Sequence, residues 1–129
     1  MSGRVVLDTN VVIPLISGDS AVVEKLERTD EVFIAAIVLG ELFFGAYRSR
    51  NAHANLAQID SLTAVVPVLV CDAGTSREYG LIKTALRLKG RPIPENDIWI
   101  AALARQHSLT LVSRDEHFAE VDGLTRETW

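Results

Sequence analysis

Short β-branched runs alternate with longer helical patterns along this chain, and the alternation restricts the folds open to it. The strand-like runs are Arg4–Leu7, Val32–Ala35, Val66–Cys71 and Leu109–Ser113. The spacing of apolar residues predicts a helical turn after Asp8 and helices at Ala21–Arg28, Ile37–Arg48, Ala52–Leu62, Thr75–Leu88 and from Glu95 onward. Strands joined through helices form parallel sheets with helices on both faces. We therefore predict an α/β fold of three layers, α/β/α, with a central parallel sheet of about four to five strands.

The size and composition are typical of one globular domain. The chain has 129 residues, so we expect a single domain over residues 1–129, and 48% of the residues are hydrophobic while 23% are charged. Cys71 is the only cysteine, which suits a reducing compartment, and we expect it to be buried at a strand end. The apolar run before Asp8 is too short for a signal peptide, and Glu41 interrupts the longest apolar stretch. We expect a cytoplasmic protein with no membrane contact.

The overall charge does not indicate a nucleic-acid-binding protein. The net charge is −4 and the pI about 5.3, whereas proteins that bind phosphates usually carry a basic surface. One local stretch is cationic, with Arg77, Lys83, Arg87, Lys89 and Arg91 opposed only by a single glutamate. A solvated helix face explains such a run as well as a nucleic-acid contact does, so the stretch alone decides little.

Two aspartates mark the ends of predicted strands. Asp8 ends the first strand, and Asp115 lies two residues beyond the last one. In open α/β sheets, ligands bind beyond the carboxyl ends of the strands. Both aspartates are therefore expected at the edge of the sheet where a ligand would bind.

Two further acids lie in apolar helix faces. Glu41 belongs to a helix that is apolar nearly all round, and Asp97 lies about one turn from Ile100 and Ala101. Burial of an unpaired charge is costly, so such a carboxylate either takes up a proton or has a partner. We expect both side chains to point toward the interior of the protein.

Each acid, taken singly, also has a structural explanation. Asp8 and Asp115 could cap helices, Asp97 could interact with the dipole of its helix, and Glu41 could pair with Arg48. Taken together the acids favour a binding site. Two unit charges about 4 Å apart repel by about 4 kcal/mol at an effective dielectric constant near 20, so converging acids require a cation.

The chemistry of the acids favours a hard divalent ion. Carboxylates with hydroxyl and amide neighbours select Mg²⁺ or Mn²⁺. Such neighbours would be Thr9, Asn10, Asn96 and Ser113. A zinc site is not indicated, because His53, His107 and His117 lack ligand-like spacing. No phosphate-binding loop or nucleophile elbow occurs, so the sequence favours hydrolysis of phosphodiesters by metal-activated water.

Several motifs resemble those of PIN-domain ribonucleases, and most of all the small VapC-type toxins of toxin–antitoxin pairs. The matching segments are VVLDTNVVI, GELFFGAYRS, GRPIPENDIWIAALARQHSLTLVSRDEHF and VDGL, which together span nearly the whole chain in the same order. The resemblance implies a PIN-like fold and an acidic site of Asp8, Glu41, Asp97 and Asp115. The three aspartates would bind the ion directly, and Glu41 would hold a second ion or a water. Thr9, Asn10, Asn96 and Ser113 match the supporting polar positions of the family.

We therefore expect a Mg²⁺- or Mn²⁺-dependent endoribonuclease acting on RNA. Candidates for contacts with the RNA backbone are Arg114, Arg77, Lys83 and Arg87. The resemblance implies a cognate antitoxin protein as partner, in a binary or a higher-order toxin–antitoxin complex. An apolar groove beside Phe43, Phe44 and Tyr47 would anchor a helix of that partner. The all-round apolar character of the helix Ile37–Tyr47 also predicts a two-fold homodimer, formed with the neighbouring helix around Asn55–Leu62.

Three alternatives share parts of this pattern. A PIN-domain nuclease in RNA processing or DNA repair would use the same chemistry without an antitoxin. A receiver-like phosphoacceptor domain would need an acceptor such as Asp72 and a lysine after the last strand, where the sequence reads LVSRD. A non-catalytic interaction domain would show a broken set of acids, whereas all four positions are acidic here.

Overall fold

A computed structural model describes residues 3–129, and its centre is one sheet of five parallel strands. The strands are β1 (Arg4–Leu7), β2 (Glu31–Ala35), β3 (Val68–Leu69), β4 (Thr110–Val112) and β5 (Arg126–Glu127). Their order across the sheet is β3-β2-β1-β4-β5, and every neighbouring pair is parallel. The predicted α/β/α class with a parallel sheet of four to five strands is confirmed.

Six α-helices connect the strands. They are α1 (Thr9–Ile16), α2 (Ser20–Glu27), α3 (Ala36–Tyr47), α4 (Ala52–Thr63), α5 (Ala73–Leu88) and α6 (Glu95–Gln106), followed by a 3-10 helix at Glu116–Glu120. The predicted helices agree with these to within about two residues at most ends. Within residues 3–129, no helix is both long enough and apolar enough to cross a membrane.

The order of the strands fixes where a ligand can bind. The chain moves outward from β1 to β2 and β3, and then returns across the sheet to place β4 on the other side of β1. Because such crossovers are right-handed, the outward and returning connections lie on opposite faces of the sheet. The carboxyl ends of β1 and β4 are therefore the point where the connections diverge, and a crevice forms there.

The core lies between the central strands and the helices. Buried positions of the strands include Val5, Val6 and Leu7 of β1 and Leu111 and Val112 of β4. Helix α6 is buried along most of its length because its apolar residues run from Ile98 to Ala104. This packing holds the first turn of α6, which contains Asp97, against the carboxyl edge of the sheet.

Two predictions about strands need correction. The third strand covers only Val68–Leu69, and the chain leaves the sheet before Cys71, which is exposed rather than buried. The sequence analysis also missed β5, whose residues Arg126 and Glu127 carry no apolar pattern. This strand is held by backbone pairing with β4, where Arg126 lies opposite Leu111.

Phe118 fixes the segment that follows β4, and its removal should be costly. The side chain is fully buried in the core from the 3-10 helix. We expect Phe118→Ala to lower the free energy of unfolding by about 3–5 kcal/mol, since a large cavity remains. Urea unfolding measures this, with Leu88→Ala as control, because Leu88 is exposed and should change stability by less than about 0.5 kcal/mol. Equal effects of the two substitutions would contradict the assigned packing.

Candidate active site

One cleft at the carboxyl ends of β1 and β4 brings the four acids together. Its volume is about 510 Å³. The residues that line it are Asp8, Thr9, Asn10, Ile13, Glu41, Pro94, Glu95, Asn96, Asp97 and Asp115. The four acids come from the end of β1, from α3, from the first turn of α6 and from the segment after β4. The sheet edge and the two helices therefore bring residues together that are distant in sequence.

Asp8 is the most deeply buried of these acids. Its backbone N–H donates to the carbonyl of Val112 (2.9 Å), which continues the pairing of β1 with β4. Its Oδ1 accepts from the backbone N–H of Thr9 (2.8 Å), and its Oδ2 accepts from the Ser113 hydroxyl (2.7 Å). Burial raises the pKa of Asp8, and these two hydrogen bonds oppose that rise. Asp8 is thus both the N-cap of α1 and a wall of the cleft.

A small polar network ties β4 and the segment after it to α1. The Oγ of Ser113 also accepts from the backbone N–H of Asp115 (3.0 Å). Asn10 Oδ1 accepts from the backbone N–H of Arg114 (3.0 Å), and Asn10 Nδ2 lies 3.5 Å from Ser113 Oγ. Ser113 and Asn10 therefore set the path of the chain that carries Asp115.

Glu41 is held by a neighbouring hydroxyl. Thr9 donates from Oγ1 to Glu41 Oε1 (2.9 Å), so α1 and α3 meet at this carboxylate. Arg48 lies elsewhere, with its guanidinium 4.4 Å from the centre of the Phe44 ring. The alternative in which Glu41 pairs with Arg48 is therefore wrong.

Asp97 faces a histidine as well as the other acids. Its side chain is only 13% exposed, and its Oδ2 lies 2.7 Å from Nε2 of His117. The pKa of Asp97 is raised to about 6, and burial is the largest cause. The charges of Asp8 and Glu41 contribute to this rise, whereas His117 opposes it. Asp97 lies in the first turn of α6, yet the helix dipole does not cancel the effects of burial and repulsion on its pKa.

Part of this cluster has the dimensions of a divalent-cation site. Ligand atoms from Asp97, Asp115 and His117 all lie within 4.8 Å of one another. Ligands about 2.1 Å from Mg²⁺ are about 4.2 Å apart across the ion, so only a small contraction would be needed. The residues present therefore fit a divalent ion, with Asp8 and Glu41 on the same cleft.

His117 lies at this site although its sequence position does not predict it. The spacing of the three histidines along the sequence indicates only that they do not form a zinc site. The informative signal is the position of His117 two residues after Asp115, where the 3-10 helix turns the chain back toward α6. The segment DEHFAE indicates a short turn there, but the direction of the turn depends on the tertiary structure.

The predicted cationic residues lie at different distances from the cleft. Lys83 and Arg87 line a groove of about 340 Å³ that also includes Glu95, which lines the cleft as well. Lys83 Nζ lies 2.6 Å from Glu95 Oε1, and Tyr79 donates its hydroxyl to the same carboxylate. Arg114 follows Ser113 and donates from Nε to the carbonyl of Trp129 (2.9 Å).

Two other predicted residues are exposed. Arg77 is exposed on α5 and lines neither the cleft nor the groove, whereas Asn96 is exposed in the wall of the cleft.

The phosphoacceptor alternative requires Asp72 as the acceptor. That residue instead caps α5, where its Oδ1 accepts from the backbone N–H of Thr75 (3.1 Å) and from Gln106 Nε2 (2.7 Å).

Comparisons with known proteins agree on one family. The PIN domain model matches residues 5–124. The chain is 33% identical to the tRNA(fMet)-specific endonuclease VapC of Shigella flexneri over 129 residues, and 34% identical to ribonuclease VapC2 of Haemophilus influenzae over 131, with 98% of each chain covered in both cases. The structure of DNA-bound VapBC from Salmonella typhimurium superimposes with a TM-score of 0.92 at 30% identity, covering 100% of this chain and 99% of that one.

The raised pKa of Asp97 predicts a pH-dependent stability of the metal-free protein. Because the folded-state pKa of about 6 exceeds the ordinary value of 3.8, the folded protein holds the proton more tightly. The contribution of Asp97 to stability should therefore fall as pH rises from about 4 to about 6. At pH 7 we expect Asp97→Asn to be more stable than the parent protein by up to about 3 kcal/mol, and near pH 4 to be equal.

Urea unfolding in EDTA between pH 4 and 7 measures this difference. Asp30→Asn is a suitable control, because Asp30 is exposed and lies outside the cleft. Addition of Mn²⁺ at a hundredfold excess over its Kd should then stabilise the parent protein by about 2.7 kcal/mol, and Asp97→Asn by less. Parallel pH curves for the parent and Asp97→Asn would contradict the assigned environment of Asp97.

Proposed function

Because this chain belongs to the PIN-domain family, we propose that it is a metal-dependent endoribonuclease that acts as the toxin of a toxin–antitoxin pair. The observation that carries the proposal is the convergence of Asp8, Glu41, Asp97 and Asp115 on one cleft. Relatives named as VapC ribonucleases that align over nearly the whole length of this chain support the same function.

The proposed site residues hold the ion and keep the acids in place. Asp8, Asp97 and Asp115 would hold Mg²⁺ or Mn²⁺, and Glu41 would hold a second ion or orient a water. The chemistry that such an ion would supply is the activation of water for hydrolysis of the phosphodiester and the stabilisation of the developing charge. Ser113 and the backbone N–H of Thr9 hold the Asp8 carboxylate in one orientation, so its remaining lone pairs face the cleft. Thr9 does the same for Glu41.

We propose a path for the RNA backbone beside the cleft. We assign phosphate contacts to Arg114, which is next to Asp115, and to Lys83 and Arg87 in the groove. Arg77, on the same helix α5, would contact a more distant part of the RNA backbone. Glu95 already holds Lys83, so Arg87 carries the more available charge of the two. The acids repel phosphates, and cations at the rim offset this repulsion.

RNA cleavage should require the acids and a divalent ion. We expect Asp8→Asn and Asp115→Asn to lower the cleavage rate by at least about a hundredfold, because the ion loses a charged ligand. Cleavage of total RNA and of tRNA(fMet), the substrate that names the Shigella flexneri relative, measures this with Mg²⁺, with Mn²⁺ and with EDTA. Asp30→Asn, which changes an exposed acid outside the cleft, should cleave at the parental rate. Cleavage by folded Asp8→Asn at the parental rate would assign the activity elsewhere.

An apolar groove next to the cleft suits a peptide from the proposed antitoxin. The groove has a volume of about 330 Å³ and is lined mainly by α1, α3 and α4, with Ile16, Leu42 and Ile59 among its apolar residues. The groove and the cleft are adjacent, because Thr9, Ile13 and Glu41 line both of them. The sequence predicts a groove beside Phe43, Phe44 and Tyr47, but these three residues do not line this groove.

A partner helix lying in this groove would end at the acids. An arginine at that end can pair bidentately with two carboxylates and displace the ion. Control by a second protein of this kind accounts for a nuclease whose cleft is open to solvent.

Two glycines of α3 allow this proposal to be tested from the side of the enzyme. Gly45 lines the groove, Gly40 does not, and a Cβ at either would meet no atom within 4 Å. Gly45→Leu should fill the groove and weaken the complex with the proposed cognate antitoxin by about tenfold or more, while RNA cleavage persists. Gly40→Leu should bind that partner like the parent protein.

The arginine of the partner gives the complementary test. Its change to alanine should reduce inhibition of RNA cleavage, and growth arrest on expression of the chain alone should depend on Asp8. Equal inhibition by both forms of the partner would exclude displacement by that arginine. Absence of growth arrest would contradict the toxin assignment.

Phe44 and Tyr47 suit a self-association surface. These two residues of α3 are 62% and 69% exposed, which is unusual for large apolar side chains on one helix. We propose that they and α4 form a two-fold homodimer. The parent protein should scatter light as a dimer at micromolar concentration, and the double substitution of Phe44 and Tyr47 to serine should be monomeric. A monomeric parent protein would contradict the dimer.

A further inference from the structure

His117 places a ring nitrogen beside the carboxylate of Asp97. Nε2 of His117 lies 2.7 Å from Oδ2 of Asp97, which is an ion-pair contact. This nitrogen is shielded from solvent. The nitrogen and the carboxylate therefore face each other away from bulk water, where a cation could bind both.

The surroundings of this nitrogen contain the ligands of a cation. A ring nitrogen of His117 and carboxylate oxygens of Asp97 and Asp115 all lie within 4.8 Å of one another. Two ligands bound side by side at about 2.1 Å are about 3 Å apart, which is close to the observed separation of Nε2 from Oδ2. The nitrogen and the oxygen are therefore spaced as neighbouring ligands of one ion.

The imidazole is held in this position by the fold. His117 follows Asp115 on the 3-10 helix, and its ring is tilted against that of Phe118, with the centres 4.8 Å apart. Phe118 is anchored in the core. The side chain is 33% exposed although Nε2 is shielded, so part of the imidazole remains accessible to water.

We propose that His117 supplies an imidazole nitrogen ligand to the divalent ion held by Asp97 and Asp115. This proposal rests on the proposed metal dependence and adds to it a ligand set of mixed nitrogen and oxygen. Such a set favours Mn²⁺ over Mg²⁺, because Mg²⁺ prefers oxygen ligands and retains its waters. The ion preference of the site is then determined by His117 rather than by the acids alone.

Spectroscopy of the Mn²⁺-loaded protein tests the nitrogen directly. Electron spin-echo envelope modulation should detect a ¹⁴N coupling in the parent protein. The coupling should be lost in His117→Asn and retained in His53→Asn, which changes an exposed histidine on α4. Circular dichroism and thermal melting in EDTA confirm that each variant is folded.

Metal titrations give a second readout. His117→Asn should bind Mn²⁺ about tenfold more weakly than the parent protein, with a smaller loss for Mg²⁺. If His117 served only as a charge partner of Asp97, its removal would leave Mn²⁺ affinity unchanged or higher. That result, or Mn²⁺ binding without a ¹⁴N coupling in the parent protein, would overturn the proposal while leaving the metal-dependent function intact.

The absence of any Mn²⁺ or Mg²⁺ binding by the parent protein would have a different meaning. It would overturn the proposed metal dependence, and the role of His117 with it. RNA cleavage in EDTA by the same preparation would lead to the same conclusion. The two failures are thus distinguished by whether the parent protein binds the ion at all.

Discussion

The mutual repulsion of the carboxylates gathered around the buried Asp8 is the constraint on which this structure depends. Asp8 is buried at the end of β1 and faces the charges of Asp115 and Asp97, so both burial and repulsion favour its protonated form. A loop could relieve such strain by moving apart. Here the backbone N–H of Asp8 is hydrogen-bonded to β4, and the carboxylate of Asp8 accepts a hydrogen bond from Ser113. The parallel pairing of β1 with β4 therefore holds the charges together.

The positions of the acids could largely be predicted from the sequence because they follow from regular structure. Parallel strands end at one edge of a sheet, which accounts for Asp8 and Asp115. The helical period placed Asp97 among apolar residues, and its side chain is mostly buried in the structure. The family resemblance added the roles of these residues, including that of Glu41, which periodicity alone left open between a site residue and a partner of Arg48.

The features that the sequence did not reveal depend on contacts between distant segments. Strand β5 has no apolar pattern and exists through its backbone pairing with β4. His117 approaches Asp97 only because the 3-10 helix turns back toward α6. The cationic stretch looks uniform in sequence, yet Lys83 is paired with Glu95 whereas Arg77 does not line the cleft. Local periodicity contains no information about any of these pairings.

The repulsion among the acids also accounts for the proposed cation. A cation in the cleft would regain the free energy lost in bringing the acids together, so the ion and the folded state would stabilise each other. An arginine from a partner would regain part of the same free energy. Because Glu41 lines both the cleft and the apolar groove, a helix in that groove could place its arginine there without any movement of the sheet. Catalysis and inhibition would then compete for one electrostatic field, and occupancy by one would exclude the other.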